Sequence, residues 1–493
     1  MRTVWVTGDQ LNRRIGALAD ASPGDTTVLL VESEHALAAG PYHRQRLHLV
    51  VAAMRRFAEE LRDAGFEVDL RRAATFRDGL DAHRRERRPE TVIATEPTSR
   101  RMERRMRDAG VELVRSNQFL CHRDDFADWA ADQRSLRMED FYRWQRRRLG
   151  YLMDGDQPVT GRWNHDADNR EPPPSDGSWP EPETSRLDEL DDDVLAGLPV
   201  NAWGADPVGW WATSRRAALS RLGHFVDEVL PAFGPHEDAM TTRSWHLAHS
   251  MLSPYLNLGL LLPDEVCDRV EVAYRDGDVP INSAEGFIRQ VIGWREYVWG
   301  LYWLWEDHAE ENVLGHDRPL PPVFSDPPAT DMRCVDDAVG GVHERGWVHH
   351  IQRLMILANL TNLAGIAPGE LVRWMRTGFV DGAEWVMIPN VVGMGLWADG
   401  GRMSTKPYVS GGNYVNRMSD YCGDCRYDPK ARTGDDACPF TTLYWDFLAR
   451  HREVLAANAR MGPVLGNLDR LSDFDDVRSR AAEVVDLLAA GRL

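Results

Sequence analysis

Hydrophobic residues change their period partway along this sequence, and the change divides it into two architectures. Near the N-terminus the apolar runs are short and β-branched: "TVWVTGDQLN", "TTVLLVES" (Thr26–Ser33), "FEVDLRRA" and "ETVIATEP" each read as a strand. Stretches of helical period such as "HLVVAAMRRFAEELRDAG" lie between them. Strands alternating with helices predict a doubly wound, parallel, Rossmann-like sheet. Such sheets take ligands at the ends of their strands, so Gly8, Asp9 and Gln10 after the first strand, and Glu32 at the end of the second, are candidate contacts. An ordinary polar turn is the other reading of the same residues.

From about Tyr151 to Val200 the pattern breaks. "DGDQPVTGRWNHDADNREPPPSDGSWPEPETSRLDELDDD" is dense in Pro, Gly and acidic residues, and is expected to drape over the surface without a regular element of any length. After it, "DPVGWWATSRRAALSRLGHFVDEVLPAF" and "SAEGFIRQVIGWREYVWGLYWLWEDHAEE" carry apolar residues at three- and four-residue spacing, which predicts a large all-α domain. The boundaries drawn are an α/β domain over 1–130, a linker over 131–225 and a helical domain over 226–493.

The formal net charge of −19 argues against a protein that coats nucleic acid nonspecifically, while leaving room for one local docking face. No apolar run approaches the roughly eighteen residues a membrane span needs, and "MRTVWVTGDQLN" has no signal-peptide core. A soluble, cytoplasmic chain with no membrane partner is expected. In a reducing compartment closely spaced cysteines read as metal ligands rather than disulfides.

Three of the six cysteines, Cys422, Cys425 and Cys438, fall within "SDYCGDCRYDPKARTGDDACPF", and Cys334 in "ATDMRCVDDAV" can close a set of four. Cys267 reads as a small core residue, and Cys121 belongs to the first domain. Four thiolates suit tetrahedral zinc or a 4Fe-4S cluster. A single C-x-x-C hook with two scattered partners leans toward the cluster, and the spacing leaves both open. Eighteen tryptophans, mostly in the helical half, fit core packing and equally a redox chromophore ringed by indoles.

Three segments carry a resemblance: "HSMLSPYLNLGLL" (249–261), "FIRQVIGWREY" (287–297) and "GWVHHIQRLMILANL" (346–360). They resemble the flavin-binding helical domain of the photolyase and cryptochrome superfamily. "GWVHHIQRLM" and "MEDFYRWQRRRLGYLMDGDQPVTGRWNHDADNR" are more specifically similar to its iron-sulfur bacterial branch, the prokaryotic (6-4) photolyases. The likeness covers nearly the whole chain and is most specific from "MEDFYR" to "ACPF".

The resemblance implies FAD as cofactor and a 4Fe-4S cluster on Cys334, Cys422, Cys425 and Cys438. Ser250, Leu252 and Ser253 offer hydroxyls and N–H groups to the FAD phosphates, and Pro254 is well placed to start a helix there. Arg295 and Arg353 bring charge toward a reduced flavin, Gln290 and Asn390 bring hydrogen bonds, and Met394 faces the flavin N5 position. His350 is the implied proton donor, with His349 its neighbour and Tyr408 lining the lesion pocket. Lys406, Arg402 and Arg417 are candidate phosphate contacts for UV-damaged DNA, and Asp166 or Asp238 could hold Mg2+. In the first domain the resemblance implies 6,7-dimethyl-8-ribityllumazine as antenna at Gly8, Asp9, Gln10 and Glu32.

The implied activity is light-driven repair of (6-4) photoproducts by a monomeric DNA photolyase, a lyase that flips the lesion out of the stack. A blue-light photoreceptor of the same family without repair activity is the alternative. Two positions depart from the family pattern: Asp326 stands where relatives carry Trp, and Trp374 is followed by the non-aromatic Met375. An electron route from the surface to the flavin is expected to be weakened there.

Overall fold

The computed structural model of the protein describes residues 1–325 and 330–493. Asp326 lies outside the described residues. Five strands, β1 (Arg2–Trp5), β2 (Thr26–Ser33), β3 (Glu67–Ala73), β4 (Val92–Thr95) and β5 (Glu112–Val114), form one parallel sheet in the order β3-β2-β1-β4-β5. The four strands read from the sequence are present. β5 is three residues long, too short to carry a readable alternation.

The sheet is covered on both faces, and its central strands are buried at every position but Arg2. Val4, Val28 and Leu30 join a core with Leu49, Ala53, Met54, Phe57 and Leu61 of the helix Arg44–Asp63. The alternate residues Trp5, Leu29 and Val31 pack with Leu80 and Met106 of the helices Phe76–Arg87 and Arg100–Asp108 on the other face. A period of two thus divides each strand between two helix layers, and chain order reverses at β1, the switch point of the sheet.

The acidic stretch after Tyr151 departs from its reading: it holds a small hairpin of Met153–Asp154 with Gln157–Pro158, a 3-10 turn at Asp166–Asp168 and one longer element. A helix runs over Glu189–Ala196, opened by a capping box between Asp188 and Asp191. Its carboxylates are neutralised from the helix Arg44–Asp63: His48 bonds Asp191 at 2.9 Å, and Arg56 reaches Asp188 at 2.9 Å and Asp191 at 2.8 Å. Charge that reads as solvated in the sequence is therefore paired, and the cap supplies the helix start.

The second half is helical, and among the described residues four of its helices widen into π turns, at Phe225–Val229, Arg289–Arg295, Arg353–Ala358 and Pro389–Gly395. The sheet and the helices meet where Leu11 N–H donates to Leu258 O at 2.8 Å and Asn12 Nδ2 to Gly259 O at 3.0 Å. Gly259 has φ +76° and a Cβ there would meet Ile15 Cδ1 at 2.7 Å, so this contact requires glycine. Among the described residues no helix is long and apolar enough to cross a membrane.

Candidate functional site

Five of the residues assigned to a flavin sit in the widened turns: Gln290 and Arg295, then Arg353, then Asn390 and Met394. A π turn shifts side chains out of the regular i, i+4 ladder, and such turns recur at functional sites. The short helix Ser253–Leu258, with Pro254 in its first turn as expected, lies among them. Asp381 ties this helix to Arg353: its carboxylate accepts from Ser253 Oγ at 2.7 Å and from Arg353 Nη1 at 2.9 Å, and its carbonyl accepts from Asn257 Nδ2 at 3.0 Å. Arg295 reaches the same helix through Leu256 O at 3.4 Å.

Arg295 is buried and paired with Glu296 at 3.1 Å, its guanidinium 4.1 Å from the Phe119 ring and 5.3 Å from the Trp385 ring. Burial pulls its pKa down to about 10 and pushes Glu296 up to about 6. Met394 packs against the same aromatic cluster, whereas Asn390 Nδ2 is spent on Val386 O at 2.8 Å.

Beside Ser250 lies a narrow pocket, walled also by Pro182, Trp210, Arg221, His224 and His249. Arg221 Nε, His224 Nε2 and His249 Nε2 are shielded from solvent without a hydrogen-bond partner. Two non-glycine residues of its loop, Leu247 (φ +45°) and Met251 (φ +54°), hold left-handed backbone, a strain that concentrates at ligand sites. Ser250 Oγ accepts from Leu252 N–H at 3.3 Å, and Leu252 itself is buried.

The histidine pair joins this loop directly. His249 stacks on His349 with centroids 4.6 Å apart, and meets His350 edge-on at 5.3 Å. His349 is 1% exposed and burial drives its pKa far below the ordinary value, as it does for His249. The side chain of His350 is 49% exposed and stands 3.6 Å from Asp238. Next to it Glu237, buried against Arg289 at 3.6 Å, is pushed up to about 7 by burial.

Asp166 is held by Arg289 at 3.1 Å and by Arg170, and although burial opposes it, these guanidiniums keep its carboxyl below the usual range. Tyr408 is part-exposed and feels the charges of both Asp166 and Asp238. Among the candidate phosphate contacts, Arg402 is committed to Glu311 and lies over Trp305 at 4.5 Å, while Lys406 and Arg417 are exposed.

Cys334, Cys422, Cys425 and Cys438 line one small pocket together with Met332, Val415, Tyr421, Tyr427 and Phe440. Cys121 and Cys267 are buried in two other cores. Burial pushes the Cys422 thiol up to about 12 and Cys438 to about 11, so thiolates there need a compensating cation. Among the described residues no three His, Cys, Asp or Glu side chains are grouped so as to hold a single metal ion.

At the sheet, Asp9 accepts from Thr7 Oγ1 at 2.5 Å and from Thr98 Oγ1, and Gln118 Nε2 donates to its carbonyl at 2.6 Å. Gln10 Nε2 donates to Glu96 O at 2.8 Å, so Gly8, Asp9 and Gln10 share the crevice between β1 and β4. Glu32 is committed elsewhere, doubly bonded to Arg55 at 2.8 and 3.0 Å.

The sequence reading did not single out Asp381, His249, Glu237 or Gln118. His249 abuts the "SMLSPYL" segment and could have been found by that adjacency; the others give no local signal, since their role comes from residues far away in the chain.

A family profile described as "Deoxyribodipyrimidine photo-lyase-related protein" matches residues 4–211. A curated "(6-4) photolyase" of Agrobacterium fabrum is 41% identical over 97% of this chain and 98% of its own length. By structure the chain is similar to a bacterial class III photolyase from Agrobacterium tumefaciens, with TM-score 0.57, 16% identity, and 99% and 98% of the two chains covered. A Synechocystis cryptochrome aligns with TM-score 0.55 and 14% identity over 80% and 82%. The strand order, the helical half and the extent of the sequence match together define the class: this chain belongs to the photolyase/cryptochrome family.

Proposed function

We propose that the protein is a (6-4) photolyase, which repairs (6-4) photoproducts in UV-damaged DNA using light and a reduced FAD. The observation that carries this is the stack of His249 on His349, which sets a histidine pair against the loop assigned to the flavin. The name of the 41% identical relative points to the same lesion. When bound, reduced FAD supplies a photoexcited electron to the lesion and takes it back afterwards.

The residues present fit that cofactor. The cavity at Ser250 with its unpartnered Arg221, His224 and His249 nitrogens suits phosphate oxygens, and Ser253 and Arg353 stand next to it through Asp381. Arg295 offsets negative charge within an aromatic wall. His350 donates the proton that lets the hydroxyl return to its pyrimidine, oriented by Asp238, while His349 remains neutral and supports it. Tyr408 lines the lesion pocket, and Lys406 and Arg417 receive DNA phosphates at its rim.

The four cysteines hold a 4Fe-4S cluster in this reading. The support is a donor set spread around a cavity, since a zinc ion needs its thiolates converging at about 2.3 Å. A lumazine antenna belongs to Gly8, Asp9 and Gln10 at the switch point, with Glu32 outside its contacts, and Mg2+ to Asp238, which faces His350. The divisions at 130 and 225, a monomeric state and a cytoplasmic location complete the reading.

The test is illumination of fully reduced protein with an oligonucleotide carrying one (6-4) lesion. Loss of the lesion without strand breaks is expected. Intact lesion with a bound, reduced flavin would overturn repair in favour of light signalling.

A further inference from the structure

Among the described residues Trp374 is followed by no ring that gives up electrons readily. It touches Phe324 at 5.0 Å and Phe379 at 5.8 Å, its indole N–H donates to Phe324 O, and Met375 follows it in the chain. A different set of rings is continuous. Trp385 and Trp299 lie 5.6 Å apart, Trp299 and Tyr302 stack at 6.5 Å, and Tyr302 Oη donates to Glu384 Oε1 at 3.0 Å. Its inner end adjoins two flavin-facing candidates, Arg295 over Trp385 at 5.3 Å and Met394 against the same cluster. At its outer end the Glu384 side chain is 23% exposed.

The cations around these rings decide where a lost electron is felt. Arg100 stands over Tyr302 at 4.4 Å and Arg123 over Trp303 at 4.3 Å. A guanidinium over a ring disfavours a positive charge on that ring, so Arg295 moves the charge off Trp385 and outward, and an oxidised Tyr302 persists only once its proton has left. Glu384 is the base in place to take it.

We propose that Trp385, Trp299 and Tyr302, with Glu384 as proton acceptor, form the path by which light reduces the oxidised flavin; this rests on the flavin reading above. Trp385 gives one electron to the photoexcited flavin, Trp299 refills Trp385, and Tyr302 refills Trp299. The phenolic proton passes from Tyr302 Oη to Glu384 Oε1, leaving a neutral tyrosyl radical. An external thiolate gives one electron to the tyrosyl radical and becomes a thiyl radical, and Glu384 gives the proton back to Tyr302 Oη.

The experiment measures flavin content, the photoreduction rate with excess thiol, and the radical seen by electron paramagnetic resonance. Trp299→Phe should keep its flavin and slow photoreduction by at least about tenfold, and by more than Trp374→Phe does. Tyr302→Phe should replace a tyrosyl signal by a tryptophanyl one. Glu384→Gln should abolish a slowing by heavy water that wild type displays, which keeps the test available if Trp299→Phe sheds its flavin. Wild-type-like photoreduction in flavin-loaded Trp299→Phe, a tyrosyl signal persisting in Tyr302→Phe, or no heavy-water effect in wild type would each overturn the path. Wild-type protein purified without flavin would overturn the flavin reading instead.

Discussion

The imidazole of His249 lies flat against that of His349, their planes 9° apart and their centroids separated by 4.6 Å. Two buried imidazoles in van der Waals contact cannot both carry charge, and burial keeps both in the neutral form. His350, edge-on to the stack, is the member of the three with a carboxylate beside it and solvent before it. The two stacked rings form a neutral wall, and of the three His350 is the one within reach of both a carboxylate and solvent.

His350→Ala is expected to keep the flavin absorption, because Ser253, Arg353 and Asp381 hold each other without it. Repair by reduced protein should fall by about 10²- to 10⁴-fold, the usual worth of a general acid. Single-turnover lesion loss under blue light measures this, and repair at the wild-type rate would remove His350 from the role.

Asp381→Asn tests the joint between the short helix and Arg353. The amide can keep the bond to Ser253 but leaves the Arg353 charge without its partner, a loss of about 3 kcal/mol for a largely buried pair. Lower thermal stability with partial loss of flavin is expected, read from a melting curve and the flavin-to-protein ratio. An unchanged melting temperature would mean that Arg353 is charged against something else.

The doubly wound sheet was legible because short runs such as Val28–Val31 are apolar and lie between stretches of helical period. β5 was not, since three residues carry no period, and neither was the helix Glu189–Ala196, whose carboxylates find His48 and Arg56 from about 130 to 145 residues away. Motif spacing grouped Cys334 with Cys422, Cys425 and Cys438, and all four line one pocket. Spacing alone could not rank His349 against His350, where the resemblance implied His350 as donor, because burial depends on which neighbour packs over each ring. Glu32 was chosen as a strand end, but its commitment to Arg55 comes from a helix face that a strand pattern does not reveal.

Cys422→Ser is expected to lose iron and solubility together if the four thiols hold a cluster, while Cys267→Ser, in a separate core, leaves iron unchanged. Gly412→Ala makes the same test without touching a ligand. A Cβ at Gly412 would lie 2.8 Å from Cys438 Sγ and 3.1 Å from the Pro429 backbone, so the thiol must shift. Iron and sulfide assays should give Gly412→Ala less than wild type, and equal iron loss in Cys422→Ser and Cys267→Ser would remove the assignment.

Glu237 predicts the sign of a pH dependence. Its carboxyl rises from an ordinary 4.5 to about 7 because burial penalises the charged form, and Oε2 has no hydrogen-bond partner. The folded protein holds this proton more tightly than the unfolded chain. Its contribution is therefore fully present below about pH 4.5 and is lost as pH rises through about 7, at a cost of about 3 kcal/mol. Glu237→Gln removes the titration while keeping the shape, and Arg289 retains Asp166 at 3.1 Å and Glu285 at 3.7 Å. Melting temperatures of the two proteins should lie close together near pH 5 and separate toward pH 8, with the glutamine variant the more stable. A gap that stays constant, or that widens toward acid, would mean Glu237 is ionised in the folded protein and held by Arg289.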